Sequence, residues 1–450
     1  MLGGKKMNRF YSPLLNPTYE GINPDDHCVA TYLIGMGREE EPILKAASIG
    51  IEQTTGSWTD VPAETDDVRD KYCAKILGVY EVPDYENMTN LRMSVGPDDK
   101  RFFIVRIGYP IENIRNNIPL FLATIVGNVA SMSFLRLLDV DFGKNFVKEF
   151  QGPKFGIKGI RELMNIPERP LLNNMIKPCT GYTPDVGAKL FYEAAVGGVD
   201  IIKDDELLGG DRSFNKLKDR VKANMEAARR ADEVKGEKTL YACNITDEVS
   251  KLKENAMTVI ENGGNCIMVD AWTIGLSAMR CLAEDPDINV PILAHCCYGS
   301  SAGISEYQGV SSLVQTKLAR LCGADIYLAE PPYGKFDITF NKYIRNVTAS
   351  KSKFYDLKPV MPFVGGGVIP GLVPQFMDDI GYDVLLGAGA GVHGHPMGPA
   401  AGAKAFRQAI DACMKGISIH EAARAHKELQ IAIDKWGIVG EKNIKDNYAL

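Results

Sequence analysis

The sequence predicts an α/β protein: a closed (β/α)8 barrel preceded by an α+β domain and followed by a short helical extension. Two observations carry this. From Pro170 onward, eight short apolar runs alternate with longer stretches of helix formers, the mark of βα units building a parallel sheet. No Gly-x-Gly-x-x-Gly fingerprint follows the first run, which favours closure into a TIM barrel over an open doubly wound sheet. The 450 residues leave room for such a barrel, about 250 residues, and a flanking domain.

The division expected is an α+β domain over 1–150, the barrel over 151–430 and a helical tail over 431–450. In the first, 28–34, 74–82 and 102–107 are rich in apolar and β-branched residues and read as strands, while 42–53 and 111–126 read as helices. The stretch 118–135 is the most membrane-like, but Thr124, Asn128, Ser131 and Ser133 interrupt it and its length is marginal for a span, so it is expected to be a buried helix. The barrel strands are expected at 171–176, 199–202, 239–244, 266–270, 290–295, 324–329, 360–364 and 383–387. Between them, 184–196, 215–235, 248–262 and 311–321 carry apolar residues at helical intervals and form the outer ring. Residues after Gly398 are Ala-rich and helical and cap the barrel.

Composition bounds the function. With 45% hydrophobic and 24% charged residues the chain is globular, and a net charge of −6 without a long basic run lacks the footprint of nucleic-acid binding. The basic N-terminus leads into Phe10-Tyr11-Ser12-Pro13 without a signal-peptide core, and ten cysteines stand without a Cys-x-x-Cys pair. Reduced thiols in the cytoplasm, no membrane partner and small-molecule chemistry are the expectations.

Barrel active sites lie at the C-terminal ends of the strands. There this chain places Lys177-Pro178-Cys179, Lys203-Asp204-Asp205-Glu206, His295, Gly334-Lys335, and the glycines Gly365-Gly366-Gly367 and Gly387 to Gly391. Strand alternation puts Lys203 and Asp205 on one side, with Glu206 following at the strand end. Asp205 and Glu206 supply the oxygen ligands that Mg2+ prefers, but an ammonium repels a cation. A neutral buried lysine can add CO2 to become a carbamate, a third oxygen ligand. Taken alone, the same residues read better as an internal ion network, with Lys203 neutralising Asp205 and Glu206. The two glycine stretches stand where barrels bind phosphate through backbone N–H groups, or are simply tight turns. Lys335 then sits on a loop able to close over a bound anion. His295 reads as a proton carrier or as a satisfied core histidine.

With those positions placed, the chain resembles the RuBisCO large-subunit superfamily, and specifically its RuBisCO-like (form IV) members. Gly197-Gly198-Val199-Asp200-Ile201-Ile202-Lys203-Asp204-Asp205-Glu206 resembles that family's activation motif, supported by Glu52-Gln53-Thr54-Thr55-Gly56-Ser57-Trp58, Ile125-Val126-Gly127-Asn128, Phe150-Gln151-Gly152-Pro153, Ile176-Lys177-Pro178, Gly334-Lys335 and Gly394-His395-Pro396. The resemblance implies a carbamylated Lys203 holding Mg2+ with Asp205 and Glu206. It implies Lys177 as base or proton donor and Lys335 as the loop lysine. Ser57, Trp58, Gly366, Gly367, Gly389 and Ala390 would line one phosphate site. Glu52 and Asn128 would reach in from a neighbouring subunit, so a homodimer at least is implied.

The departures are as informative. Cys179 stands where the carboxylases have a second lysine, Cys296 for an arginine, Leu328 for a histidine and Gly365 for a serine. The last three bind the second phosphate of a bisphosphate, and cysteine, leucine and glycine offer neither that charge nor those donors. The expectation is a Mg2+-dependent enzyme that forms an enediolate from a monophosphate and does not carboxylate ribulose bisphosphate. Foremost is decarboxylation or carboxyl transfer of a phosphorylated 3-oxo sugar acid of the oxo-isoapionate type. The alternatives are an enolase or isomerase acting on a methylthio-pentulose phosphate of methionine salvage and, from another class, a non-catalytic phosphate binder. In the salvage enolases a lysine stands at the position of Asn128 and Ile-Lys-Pro is altered, whereas this chain keeps Ile176-Lys177-Pro178. Cys179 and Cys296 read either as neutral fillers or as reactive thiols.

Overall fold

The computed structural model describes residues 9–37, 39–57, 59, 61–82, 100–132, 134–336 and 338–440. Trp58 and residues 441–450 lie outside the described residues. The chain divides into two units, Met1–Phe150 with Gly299–Gln315, and Gln151–Tyr298 with Thr316–Leu450.

In the first unit, β1 (His27–Gly37), β2 (Lys75–Val82), β3 (Lys100–Pro110) and β4 (Phe134–Asp141) form a sheet in the order β4-β1-β3-β2. β1 lies antiparallel between β3 and β4, with Tyr32 opposite Val105 and Leu137. The helices Pro42–Glu52 and Ile118–Ile125 both begin with proline inside the first turn, where a missing N–H costs nothing. Tyr32 donates from its hydroxyl to the Ile125 carbonyl at 2.8 Å, tying the second helix to the sheet. Phe121, Phe142 and Phe146 stack beneath it at centroid distances of 5.4 to 5.8 Å.

The apolar stretch 118–135 is not one helix. It breaks into the helix Ile118–Ile125, a 3-10 turn at Asn128–Ser131 and the start of β4. Gly127 divides it: a Cβ there would lie 2.2 Å from the Ala123 carbonyl oxygen. β4 is missing from the sequence reading, as is the two-residue strand Gly309–Val310 that pairs with it. Among the described residues no helix is long and apolar enough to cross a membrane.

The second unit closes as expected. β5 (Leu171–Met175), β6 (Ile201–Lys203), β7 (Leu240–Asn244), β8 (Cys266–Asp270), β9 (Ile292–His295), β11 (Ile326–Ala329), β12 (Met361–Gly365) and β13 (Leu385–Ala388) pair in parallel around a full circle. The two-residue strand β10 (Gly309–Val310) belongs to the first unit, where it pairs with β4 at Arg136 and Leu137. The barrel strands are buried along nearly their whole length, which is why they read as short, mostly apolar runs rather than as alternation; the first strand is the exception, with Asn173 and Asn174 buried in it.

Three helices follow β13: Pro399–Met414, Ile419–Ala425 and Lys427–Trp436. The last is fastened by Glu428, which accepts from Lys404 Nζ at 2.7 Å and Gln408 Nε2 at 2.9 Å, and by Lys435 Nζ, which donates to the Gly394 carbonyl at 2.6 Å. The C-terminal helix therefore holds the segment just beyond the β13 glycines.

Candidate active site

Just beyond the end of β6 at Lys203, the two aspartates of the motif part company. Asp204 turns away from the mouth into a buried network: it accepts from Arg220 Nε at 3.1 Å, from the Tyr241 hydroxyl at 2.8 Å and from the Asn244 backbone N–H at 3.0 Å. Asp205 turns the other way and accepts from Lys177 Nζ at 2.7 Å. Lys203, only 1% exposed, donates to the Asp204 carbonyl oxygen at 2.8 Å and lies 3.5 Å from Glu206 Oε2. His295 Nε2 stands 3.6 Å from the same Glu206 oxygen. Asn244 supports the turn by donating to the carbonyls of Asp205 and Glu206. Lys177, Lys203, Asp205, Glu206 and His295 thus converge at one end of the barrel.

The electrostatics follow from that clustering. Burial opposes the charged forms of Lys177 and Asp205, but their hydrogen bond outweighs it, holding the ammonium above and the carboxyl below their ordinary ranges. Cys179, whose Sγ lies 2.9 Å from Lys177 Nζ, adds to the first effect. Burial and then the nearby Lys203 charge push the His295 imidazole down to about 4, so it is neutral at pH 7. Glu206, penalised by burial, is kept below its usual range by Lys203 and His295.

The donor chemistry fits a hard cation. Two carboxylates flank a buried lysine amine, and CO2 added to that amine would supply the third oxygen. Lys203 as carbamate, Asp205 and Glu206 are the residues that would hold Mg2+.

The glycine-rich turns meet the same mouth. A Cβ on Gly389 would lie 3.1 Å from Lys177 Cε, so this turn runs beside the Lys177 side chain, and Ala390 follows it. Gly366 and Gly367 hold φ of 96° and 89°, the left-handed region that glycine alone enters freely. The Lys335 backbone N–H donates to the Gly366 carbonyl at 3.0 Å, coupling the loop after β11 to that after β12, while its side chain is exposed. A Cβ on Gly334 would sit 1.9 Å from the same oxygen. Leu328 fills the place next to Gly365, where a Cβ would lie 3.0 Å from Leu328 Cδ1. The two departures are neighbours in space, and a side chain at 365 would require the Leu328 tip to shift.

Glu52, Ser57 and Asn128 lie in the first unit. Glu52 ends the helix Pro42–Glu52, and the next residue, Gln53, donates to the carbonyls of Ala123 and Thr124, close in sequence to the exposed Asn128. Ser57 is half-buried in the turn that follows.

Sequence reasoning missed His393 and Asp270. His393 Nε2 pairs with Asn174 Oδ1 at 3.0 Å, and burial together with the Lys177 charge pushes the imidazole down to about 4. Burial raises Asp270, at the end of β8, to about 6. Both stand at strand ends or just beyond, and that position was the signal.

Residues 14–146 match the model of the ribulose bisphosphate carboxylase large chain N-terminal domain, and 156–436 that of its catalytic domain. A ribulose bisphosphate carboxylase-like protein of Archaeoglobus fulgidus is 46% identical over 414 residues, 91% of this chain and 93% of that protein. The 2,3-diketo-5-methylthiopentyl-1-phosphate enolase of Geobacillus thermodenitrificans is 35% identical over 91% of this chain and 98% of its own. Among solved structures, the octameric ribulose-1,5-bisphosphate carboxylase/oxygenase of Pyrococcus horikoshii superposes with a TM-score of 0.84 at 29% identity, covering 93% of this chain and 95% of that one.

Proposed function

The chain belongs to the RuBisCO large-chain family and is a RuBisCO-like protein; from that premise we propose that it is an enolase acting on a phosphorylated vicinal diketone of the 2,3-diketo-5-methylthiopentyl-1-phosphate type. The observation that carries this reading is the convergence of Lys177, Lys203, Asp205, Glu206 and His295 at the barrel mouth, beside glycines suited to one phosphate. The activity of the Geobacillus relative favours enolisation over decarboxylation of a 3-oxo sugar acid.

In such a substrate the C1 hydrogens lie between a phosphate ester and the C2 carbonyl, so removing one leaves charge that the carbonyl oxygen can take. Mg2+, when bound by carbamylated Lys203, Asp205 and Glu206, supplies Lewis-acid polarisation of the vicinal oxygens. The backbone N–H groups of Gly366, Gly367, Gly389 and Ala390 hold the phosphate, with Lys335 closing from its loop. Lys177 can take the C1 proton only as the neutral amine: Asp205 now holds it as ammonium, so that ammonium must first release a proton to solvent, which burial favours once Asp205 turns to a cation instead. His295, beside Glu206, can accept or return a proton at the oxygen side.

Leu328, Gly365 and Cys296 leave no cationic or hydroxyl anchor for a second phosphate, which supports a monophosphate. Glu52 and the exposed Asn128 complete the site of a neighbouring copy in a homo-oligomer, a reading supported by the octameric Pyrococcus structure. The testing experiment is C1 hydrogen–deuterium exchange of the diketo phosphate with wild-type protein and Lys177→Met. Exchange is expected in the first and a loss of about 100-fold or more in the second; equal rates overturn the assignment.

A further inference from the structure

We propose that Asp270, His295 and Cys297 form a second cation site, selective for a borderline-soft divalent ion such as Zn2+ or Co2+. One ligand atom from each residue, a carboxylate oxygen, an imidazole nitrogen and a thiol sulfur, lies within 4.8 Å of the other two. The fold sets this directly: β8 and β9 pair so that Asp270 stands opposite His295, and Cys297 follows two residues later.

Asp270 is 4% exposed, yet its Oδ1 has no hydrogen-bond partner, an expensive condition for a buried carboxylate unless something else satisfies it. His295 Nδ1 accepts from the Cys297 backbone N–H at 3.2 Å, which positions the ring against the following turn. Around a tetrahedral zinc, ligand atoms stand roughly 3.3–3.8 Å apart, so the trio needs a contraction of about 1 to 1.5 Å at its widest, within the reach of side-chain rotation.

The ligand set fixes the ion class. Thiolate and imidazole suit Zn2+ and Co2+ and are avoided by Mg2+, whereas Asp205, Glu206 and carbamylated Lys203 offer oxygen alone. Three protein ligands leave one position for water or a substrate oxygen. Binding displaces the Cys297 thiol proton to solvent and leaves a metal thiolate. It also takes the His295 imidazole out of proton transfer, because His295 is shared with the Glu206 edge of the neighbouring site. The soft-metal site requires neither the carbamate nor the enolase reading.

The test is a Co2+ titration of full-length, chelator-stripped protein in CO2-free buffer, where the oxygen site is incomplete. Near-ultraviolet sulfur-to-cobalt charge-transfer absorption should grow and saturate at about one cobalt per chain. Cys297→Ser should abolish the band, Asp270→Asn should weaken cobalt binding at least about tenfold, and Cys179→Ser and Cys296→Ser should retain the band. In unmutated protein, Co2+ should slow alkylation of Cys297, a readout that needs no variant to fold. Absence of the band, its survival in Cys297→Ser, its loss in Cys179→Ser, or alkylation unaffected by Co2+ overturns the proposal.

Discussion

Asp204 and Asp205 are neighbours in sequence and do opposite work. Asp204 and Arg220 are both at most 1% exposed, and removing one partner leaves the other charge buried without compensation. Asp204→Ala is therefore expected to cost about 3–5 kcal/mol in denaturant unfolding. Asp205→Asn, whose partner Lys177 is 34% exposed, is expected to cost less stability than Asp204→Ala and to abolish Mg2+ binding, read by calorimetry in bicarbonate buffer. Equal destabilisation by both would contradict the division of roles. The leucine beside Gly365 makes a further claim at this scale: carboxylation of ribulose bisphosphate stays at background at saturating substrate and CO2. Turnover above background would show that a second phosphate is held after all.

Elements decide how the mouth is held in place. The C-terminal helix Lys427–Trp436 is fastened through Glu428, whose carboxyl is drawn from 4.5 down to about 2 by hydrogen bonds from Gln408 and Lys404. Because the native carboxyl titrates below its ordinary range, the stability it lends is full above pH 4.5 and fades as the pH falls through that window towards 2. Glu428→Gln should be less stable than wild type at pH 7, and the gap should shrink between pH 4.5 and 2 in thermal unfolding; a pH-independent gap would contradict the linkage. All eight barrel strands were legible because strands buried on both faces write short, mostly apolar runs between helical stretches, even where two asparagines interrupt the first. β4 was not, because Phe134 and Leu135 continue an apolar stretch whose period does not separate helix from strand, and the break at Gly127 comes from a close backbone approach that sequence does not display.

For the whole molecule, the barrel's own residues converge at its mouth, and the proposed function adds Glu52 and Asn128 from a neighbouring copy. If sites are shared between subunits, mixing Lys177→Met with Glu52→Ala protein under exchange conditions should restore about a quarter of wild-type activity, since half of randomly formed dimers carry one intact site of two. No recovery after demonstrated exchange would place each site within one chain. The residues at the mouth were legible because strand ends of a barrel point at one place. What they do to each other was less so: the Lys177–Asp205 hydrogen bond, the unsatisfied Asp270 oxygen and the His393–Asn174 pair depend on strand register and burial, which no local pattern encodes.

The most direct measurement of the central claim is proton NMR of 2,3-diketo-5-methylthiopentyl-1-phosphate in D2O with the enzyme. C1 deuteration is expected to require both Mg2+ and bicarbonate, to be lost in Lys177→Met and in Lys203→Met, and to release no CO2. Deuteration at full rate in CO2-free buffer, or in Lys203→Met, would contradict it.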